Sequence, residues 1–166
     1  DDQEIARVAR SLGARVVRRP AELAVSEAPT EPTLQHTLIE TERQTQRVYQ
    51  TVVMLQATSP LRSAERIDEA LRLLRETGCD SVASVTPDRR YYFLAEVATE
   101  SRMHLNYDPA NRLRSQEIPP RYWENGAIYV MTRAQILERG CRMGGDLRAL
   151  IMDPEESVDI DEYCDL

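Results

Sequence analysis

Two short stretches of the chain carry side chains whose types and spacing could do chemistry. The first is Leu55-Gln56-Ala57-Thr58-Ser59-Pro60-Leu61-Arg62, directly after the apolar run Thr51-Val52-Val53-Met54. Gln56 offers an amide with donors and an acceptor, Thr58 and Ser59 add hydroxyls, and Arg62 adds a charge, which together make a polar rim for a small ligand. The second is Ser157-Val158-Asp159-Ile160-Asp161, with two carboxylates one residue apart. On an extended stretch Asp159 and Asp161 point to the same side. A hard cation such as Mg²⁺ takes few protein carboxylates and fills its shell with water and substrate phosphate oxygens. An EF-hand is excluded, because no glycine stands at the sixth loop position. Each stretch also has a plain alternative: a Ser/Pro turn leading into a helix for the first, and Asp161 as the cap of a final helix for the second.

The elements that must position these residues follow from periodicity. Thr51 to Met54 is a β-branched apolar run stopped by a polar, Pro-containing segment, which predicts an interior parallel strand feeding a loop. Small ligands of open α/β sheets sit at such carboxyl-terminal strand ends. Before it, Ile5, Val8, Ala9 and Leu12 fall at helical spacing between Asp1-Asp2 and Gly13, predicting a capped amphipathic helix. Ala14 to Val17 is a short strand candidate ended by Arg18-Arg19-Pro20, and Pro32 opens a helix carrying Leu34, Leu38 and Ile39. After the loop, Ser63 caps a helix with Ile67, Ala70, Leu71 and Leu74 on one face, and Gly78 closes it. Ser81 to Val85 is the next strand. Tyr91-Tyr92-Phe93 leads into a strand to Val97, and a polar excursion covers Arg102 to Arg112. A Pro-rich loop runs from Arg114 to Pro120, followed by a turn at Asn125-Gly126 and a strand through Val130. Ala134 to Leu137 is a short helix and Ala149 to Met152 a strand. Strands alternating with helices over short loops predict an α/β fold with a largely parallel sheet.

Composition bounds the function. The chain has 166 residues, 42% hydrophobic and 30% charged, enough for one domain over residues 1–166 with a real core. No apolar run approaches the roughly 20 residues of a membrane span, and no signal-peptide pattern occurs, so a soluble cytoplasmic protein with no membrane role is expected. A net charge of -7 argues against nucleic acid as a partner, which needs a basic patch. Every basic residue is arginine, so side-chain contacts to an anion fall to guanidinium groups. Cys79, Cys141 and Cys164 form no CxxC pair and are expected to be buried or inert thiols, and His36 and His104 belong to no catalytic pattern.

Three separated motifs resemble those of the acylneuraminate cytidylyltransferases. Leu55 to Arg62 resembles the signature LQPTSPLR, matching at seven of eight positions, with Ala57 in place of proline. Arg114-Ser115-Gln116-Glu117-Ile118-Pro119-Pro120 with Asn125-Gly126-Ala127-Ile128-Tyr129 resembles the family's Pro-Pro and NGAIY segment, and Asp159-Ile160-Asp161 its DID motif. Arg19-Pro20 with Glu22-Leu23-Ala24, then Glu27 to Thr30, is similar to the family's RPxELA segment. The resemblance implies a Rossmann-like, three-layer nucleotidyltransferase domain with a mostly parallel sheet, N-terminally incomplete because the family's glycine-rich phosphate-binding segment has no counterpart here.

The resemblance also implies a reaction: attack of the anomeric hydroxyl of a nonulosonic acid on the α-phosphorus of CTP, releasing pyrophosphate. It implies Arg19 and Thr30 at the nucleotide, and Gln56, Arg114, Ser115, Asn125 and Tyr129 at the sugar acid. Asp159 and Asp161 would be the catalytic pair that holds Mg²⁺. It further implies a homodimer, with a dimerisation or sugar-side excursion at about residues 91–145 and exposed Tyr91, Tyr92 and Trp123 suited to the interface. Relatives that use sialic acid carry an aromatic pair where this chain has Arg142-Met143, so a different nonulosonic acid is expected as substrate. A non-catalytic interaction module of the same fold and a different DxD sugar-nucleotide enzyme are the alternatives.

Overall fold

The computed structural model describes residues 2–25, 27–95, 103–119 and 121–165. In chain order it has helix α1 (Gln3–Ser11), helix α2 (Thr30–Thr45), strand β1 (Thr51–Met54), helix α3 (Ala64–Thr77) and strand β2 (Ser81–Asp88). Strands β3 (Phe93–Ala95) and β4 (Met103–Leu105) follow, then β5 (Arg121–Thr132), helix α4 (Arg133–Leu137) and strand β6 (Leu147–Ile151).

The main sheet has four strands in the order β1-β5-β2-β6. β5 is antiparallel to both β1 and β2, and β6 is parallel to β2. Three strands therefore share one direction, and the long β5 is inserted between them in the opposite sense. β1 was expected to be a parallel strand, and its pairing with β5 is antiparallel; among the described strands β5 is its one partner, and all four of its residues are half-buried. β3 and β4 form a separate antiparallel ribbon, and residues 96 and 97 of the expected strand lie outside the described residues.

Two apolar clusters sandwich the sheet. On one face Ala70 and Leu74 of α3 pack on Val82, Ile128, Val130 and Leu150. On the other, Leu38 of α2 and Ile136 of α4 pack on Ala83, Tyr129 and Met131. Alternating strand residues feed alternate faces, as the period of a strand requires, giving three layers. The ends of α3 fall where its caps were read: Ser63 accepts from the Arg66 N–H at 3.4 Å, and Gly78 takes the left-handed conformation at φ 67°. α1 is capped by Asp2, whose Oδ1 accepts the Ile5 N–H at 2.8 Å.

Residues 14–17 pair with no strand among the described residues; just after them the chain meets α2, with His36 Nε2 3.2 Å from the Arg18 carbonyl oxygen. Asn125-Gly126 is not a turn either. It is a bulge within continuous β5, where the register with β2 shifts between Ala83 and Val85 and Gly126 has φ 71°. Cys79 is buried as expected, whereas Cys141 is exposed. Tyr91 and Tyr92 are half-buried rather than exposed: Tyr91 stacks at 4.2 Å on Tyr107 and beneath Arg112. Among the described residues no helix is long and apolar enough to cross a membrane.

Several carboxyl groups are held below their ordinary values by specific partners. The Arg133 guanidinium acts on Glu42, the Asp146 N–H and then Arg139 on Asp80, Arg90 on Asp88, and Arg66 on Glu156. A depressed folded value contributes stability above the unfolded value, near pH 4, and that contribution is lost as pH falls through the folded values. The expected acid titration by circular dichroism is flat from pH 7 to about 5 and falls only below about 4. A transition centred near pH 6 would contradict this assignment.

Candidate active site

The site forms where three segments meet at the bulge in β5. The loop after β1 brings Gln56, Thr58 and Ser59; the bulge brings Gly126; the segment after β6 brings Asp159. A Cβ on Gly126 would stand 3.0 Å from Gln56 Oε1 and 3.7 Å from Asp159 Oδ2, so glycine is what lets both side chains close on the backbone here. The first and third segments are joined directly, by the Ile160 N–H donating to the Thr58 carbonyl at 2.8 Å.

Arg62 is turned inward rather than lining the rim. One nitrogen, Nη1, donates to the carbonyls of Gln56 at 2.5 Å, Ser59 at 2.7 Å and Ala127 at 3.3 Å. It pins the loop to β5, and burial lowers its pKa from the ordinary arginine value. The polar capacity of the site lies elsewhere. Thr58 Oγ1, Ser59 Oγ and Asp159 Oδ1 are buried with no hydrogen-bond partner. Such atoms are costly to leave unpaired in a folded protein and point to a group that completes them.

Asn125 lies inside the protein rather than on the rim. It is fully buried, and both ends of its amide are committed: Oδ1 accepts from Ser84 Oγ at 2.5 Å and from the Ala127 N–H at 3.3 Å. Nδ2 donates to Ser157 Oγ at 2.9 Å and Thr86 Oγ1 at 3.2 Å. Thr86 donates in turn to Ser157 at 2.5 Å, and Ser157 to the Asp153 carbonyl at 2.8 Å. Asn125 thus shapes the bulge and ties the Asp159 segment to β2 and β5, with no capacity left for a ligand. Its partners were missed in the sequence. Ser84 and Thr86, two hydroxyls on one face of an apolar strand, were the available signal.

Tyr129 is on the opposite face of the sheet from Asn125. Its hydroxyl donates to Glu124, and burial, then Glu124, pushes its pKa well above the ordinary phenol value. Arg142 lies 5.2 Å over its ring and pairs with Glu31 of α2 at 2.8 Å. Thr30, the first residue of α2, is therefore linked to Tyr129 through its neighbour Glu31. Arg19 lines a cleft between α1 and α2 with Thr33 and Thr37. Arg114 and Ser115 sit on an exposed single helical turn, where the Arg114 N–H donates to Glu117 Oε2 at 3.0 Å.

Asp159 and Asp161 do not share one environment: Asp159 is half-buried, Asp161 exposed. Nor does Asp161 cap the terminal turn. Asp165 Oδ2 closes it, accepting the N–H groups of Asp161 at 3.0 Å and Glu162 at 2.8 Å. No group of three or more His, Cys, Asp or Glu converges among the described residues. A site of one or two carboxylates completed by substrate oxygens is the cation chemistry that remains compatible.

Gly126→Ala is expected to cost about 2 kcal/mol, from the left-handed backbone and the displaced Gln56 amide. Urea unfolding measures it, and an unchanged midpoint would mean that the bulge relaxes freely.

Comparison with known proteins gives a consistent result. The chain is 38% identical to the N-acylneuraminate cytidylyltransferase of Oncorhynchus mykiss, over 99% of this chain and 37% of that protein. It is 34% identical to the enzyme of the same name from Escherichia coli O18:K1:H7, over 99% and 38% respectively. It is 26% identical to the post-translational flagellin modification protein B of Campylobacter coli, over 99% and 71%. The chain thus spans little more than a third of the length of the first two. No family model matches. Among solved structures, a 4-diphosphocytidyl-2C-methyl-D-erythritol synthase from Anaerococcus prevotii aligns with a TM-score of 0.57 at 10% identity, over 98% of this chain and 74% of that one, a likeness of fold.

Proposed function

The chain belongs to the acylneuraminate cytidylyltransferase family, and from that membership we propose that it transfers CMP from CTP to the anomeric hydroxyl of a nonulosonic acid, releasing pyrophosphate. One observation carries the reading. The Gln56 loop, the Gly126 bulge and the Asp159 segment converge, and they leave Thr58 Oγ1, Ser59 Oγ and Asp159 Oδ1 buried without partners. Those are acceptors and hydroxyls of the kind a polyhydroxy acid and a phosphate-bound cation would engage.

In this reading Gln56 holds the sugar acid, and Thr58 and Ser59 offer hydroxyls beside it. Asp159, with the exposed Asp161 closing in from the same segment, would hold Mg²⁺. When bound, that ion supplies charge neutralisation on the phosphate oxygens. Arg19 and Thr30 serve the nucleotide from the α2 side, and Arg114, Ser115 and Tyr129 belong to the sugar side. Asn125 acts by fixing the bulge. Nucleotidyl transfer asks little covalent work of side chains, so positioning and fixed charge dominate. The protein is proposed to work in the cytoplasm as a homodimer. Arg142, which pairs with Glu31 and lies over the Tyr129 ring, stands where sialic acid users carry an aromatic residue, and a charged group in that place favours a nonulosonic acid other than sialic acid.

The test is pyrophosphate release with CTP, Mg²⁺ and a panel of nonulosonic acids, for the parent and Asp161→Asn. Release should require both CTP and a nonulosonic acid, and should fall about 10²-fold or more in the variant. Silence of the parent with every sugar would remove catalysis from this chain, and sialic acid as best substrate would count against the specificity.

A further inference from the structure

Asp159 makes no hydrogen bond through Oδ1, so its place is dictated by the residues that tie down its neighbours. Three ties are visible. Ile160 is bonded to the loop after β1 through its N–H and the Thr58 carbonyl, at 2.8 Å. Ser157, almost fully buried, is bonded to Asn125 of β5 and Thr86 of β2. Glu156 is bonded to α3: Arg66 Nε reaches Glu156 Oε1 at 3.2 Å and Oε2 at 2.9 Å, and Nη2 reaches Oε2 at 2.8 Å.

The Arg66 guanidinium is itself braced. Its Nη1 donates to Glu69 Oε2 at 3.0 Å one turn along the same helix, and Nη2 lies 3.6 Å from Asp153 Oδ2, at the other end of the short turn that precedes Ser157. A planar fork gripping one carboxylate at both oxygens fixes direction as well as distance, which a point charge cannot do. Arg66 and Glu156 have side chains only about a quarter exposed, so solvent weakens this grip less than on an open surface.

We propose that Arg66 is a positioning residue for Asp159: through Glu156 it sets the segment 156–160 against the Gly126 bulge, so that the Asp159 carboxylate is already in place for a cation. The proposal rests on the metal role given to Asp159 above. Partners of this indirect kind typically carry 10- to 100-fold in metal affinity.

The experiment uses the full chain with Mn²⁺ alone as the probe, in the parent, Arg66→Met, Arg66→Lys and Asp159→Asn. Mn²⁺ affinity is read from loss of the free-ion electron spin resonance signal, and amide hydrogen exchange is read by NMR. Arg66→Met should weaken Mn²⁺ binding about tenfold or more and speed exchange at Ile160, with exchange at Val82 and Val130 unchanged. Arg66→Lys should recover part of the affinity, since it keeps the charge and loses the fork. Parent-like affinity in Arg66→Met, with binding lost in Asp159→Asn, overturns the proposal alone. Exchange accelerated uniformly across the core also overturns it, since that marks ordinary loss of stability. A parent that binds no Mn²⁺, or binds it equally after Asp159→Asn, overturns the metal reading and the proposal with it.

Discussion

Asp159→Asn is expected to abolish CMP transfer while leaving the fold at least as stable as the parent. On the proposed metal role the two effects have opposite signs, since an acceptor kept unpaired for a cation burdens the protein without one. Its Oδ1 is buried and unpartnered, and a buried acceptor in that condition costs on the order of 1 to 3 kcal/mol, more when charged. Asparagine keeps the shape and removes the charge, which relieves that cost and takes away the fixed negative group the cation would need. Transfer should fall about 10²- to 10³-fold, the range seen when one preorganised electrostatic group is removed from a reacting centre. Pyrophosphate release and the urea midpoint, measured on the same preparation, decide it. A variant that loses activity and stability together would make Asp159 a structural carboxylate.

Asn125→Ala should have the largest effect on stability. Truncation leaves the buried Ser84 and Ser157 hydroxyls and the Ala127 N–H each short of a partner and opens a void beneath the bulge. Buried polar groups left unmatched cost about 1 to 3 kcal/mol each, and partial relaxation brings the expected total to about 3 kcal/mol. That is a fall of about 1.5 M in the urea midpoint at an ordinary slope for a small protein. The fluorescence of Trp123, on β5 two residues from the substitution, reports it directly. A sugar-contacting asparagine would behave differently, raising the KM for the sugar with the midpoint unmoved, so the measurement separates the two roles.

The pieces that were legible in the sequence are those whose signal is local. α3 was readable from both ends because Ser63 and Gly78 meet backbone requirements that any helix imposes, and β2 because its apolar run needs no knowledge of its neighbours. The Gln56 loop and the Asp159 segment were recognised from residue types, and the structure brings them to one glycine. What could not be read depends on partners distant in sequence. Asn125-Gly126 has the composition of a hairpin turn, but β2 pairs with β5 on both sides of it, at Tyr129 to Met131 and again at Arg121 to Glu124, and that ladder carries the strand through the bulge. Arg62 looked like a surface charge because residue types do not show backbone carbonyls: two in its own loop, at Gln56 and Ser59, and one on β5, at Ala127, take its guanidinium. The family resemblance implied one pocket for Asn125 and Tyr129, yet with the bulge between them Asn125 turns toward Met152 on the α3 face and Tyr129 packs on the α2 face. Arg66 is invisible to a motif reading, since its partner lies 90 residues away.

The position of β5 has a consequence for how the protein comes off the ribosome. The strand at the centre of the sheet is made late, after both β1 and β2, and β1 has no other described strand to pair with. At bacterial and eukaryotic elongation rates, residue 54 emerges on the order of 4 to 16 seconds before residue 132. During that interval β1 is without the β5 partner it has in the finished sheet, while α3 can already form locally. The β1–β5 ladder behind the Gln56 loop therefore closes only once residue 132 is out, and a translational stall short of β5 leaves that ladder unmade.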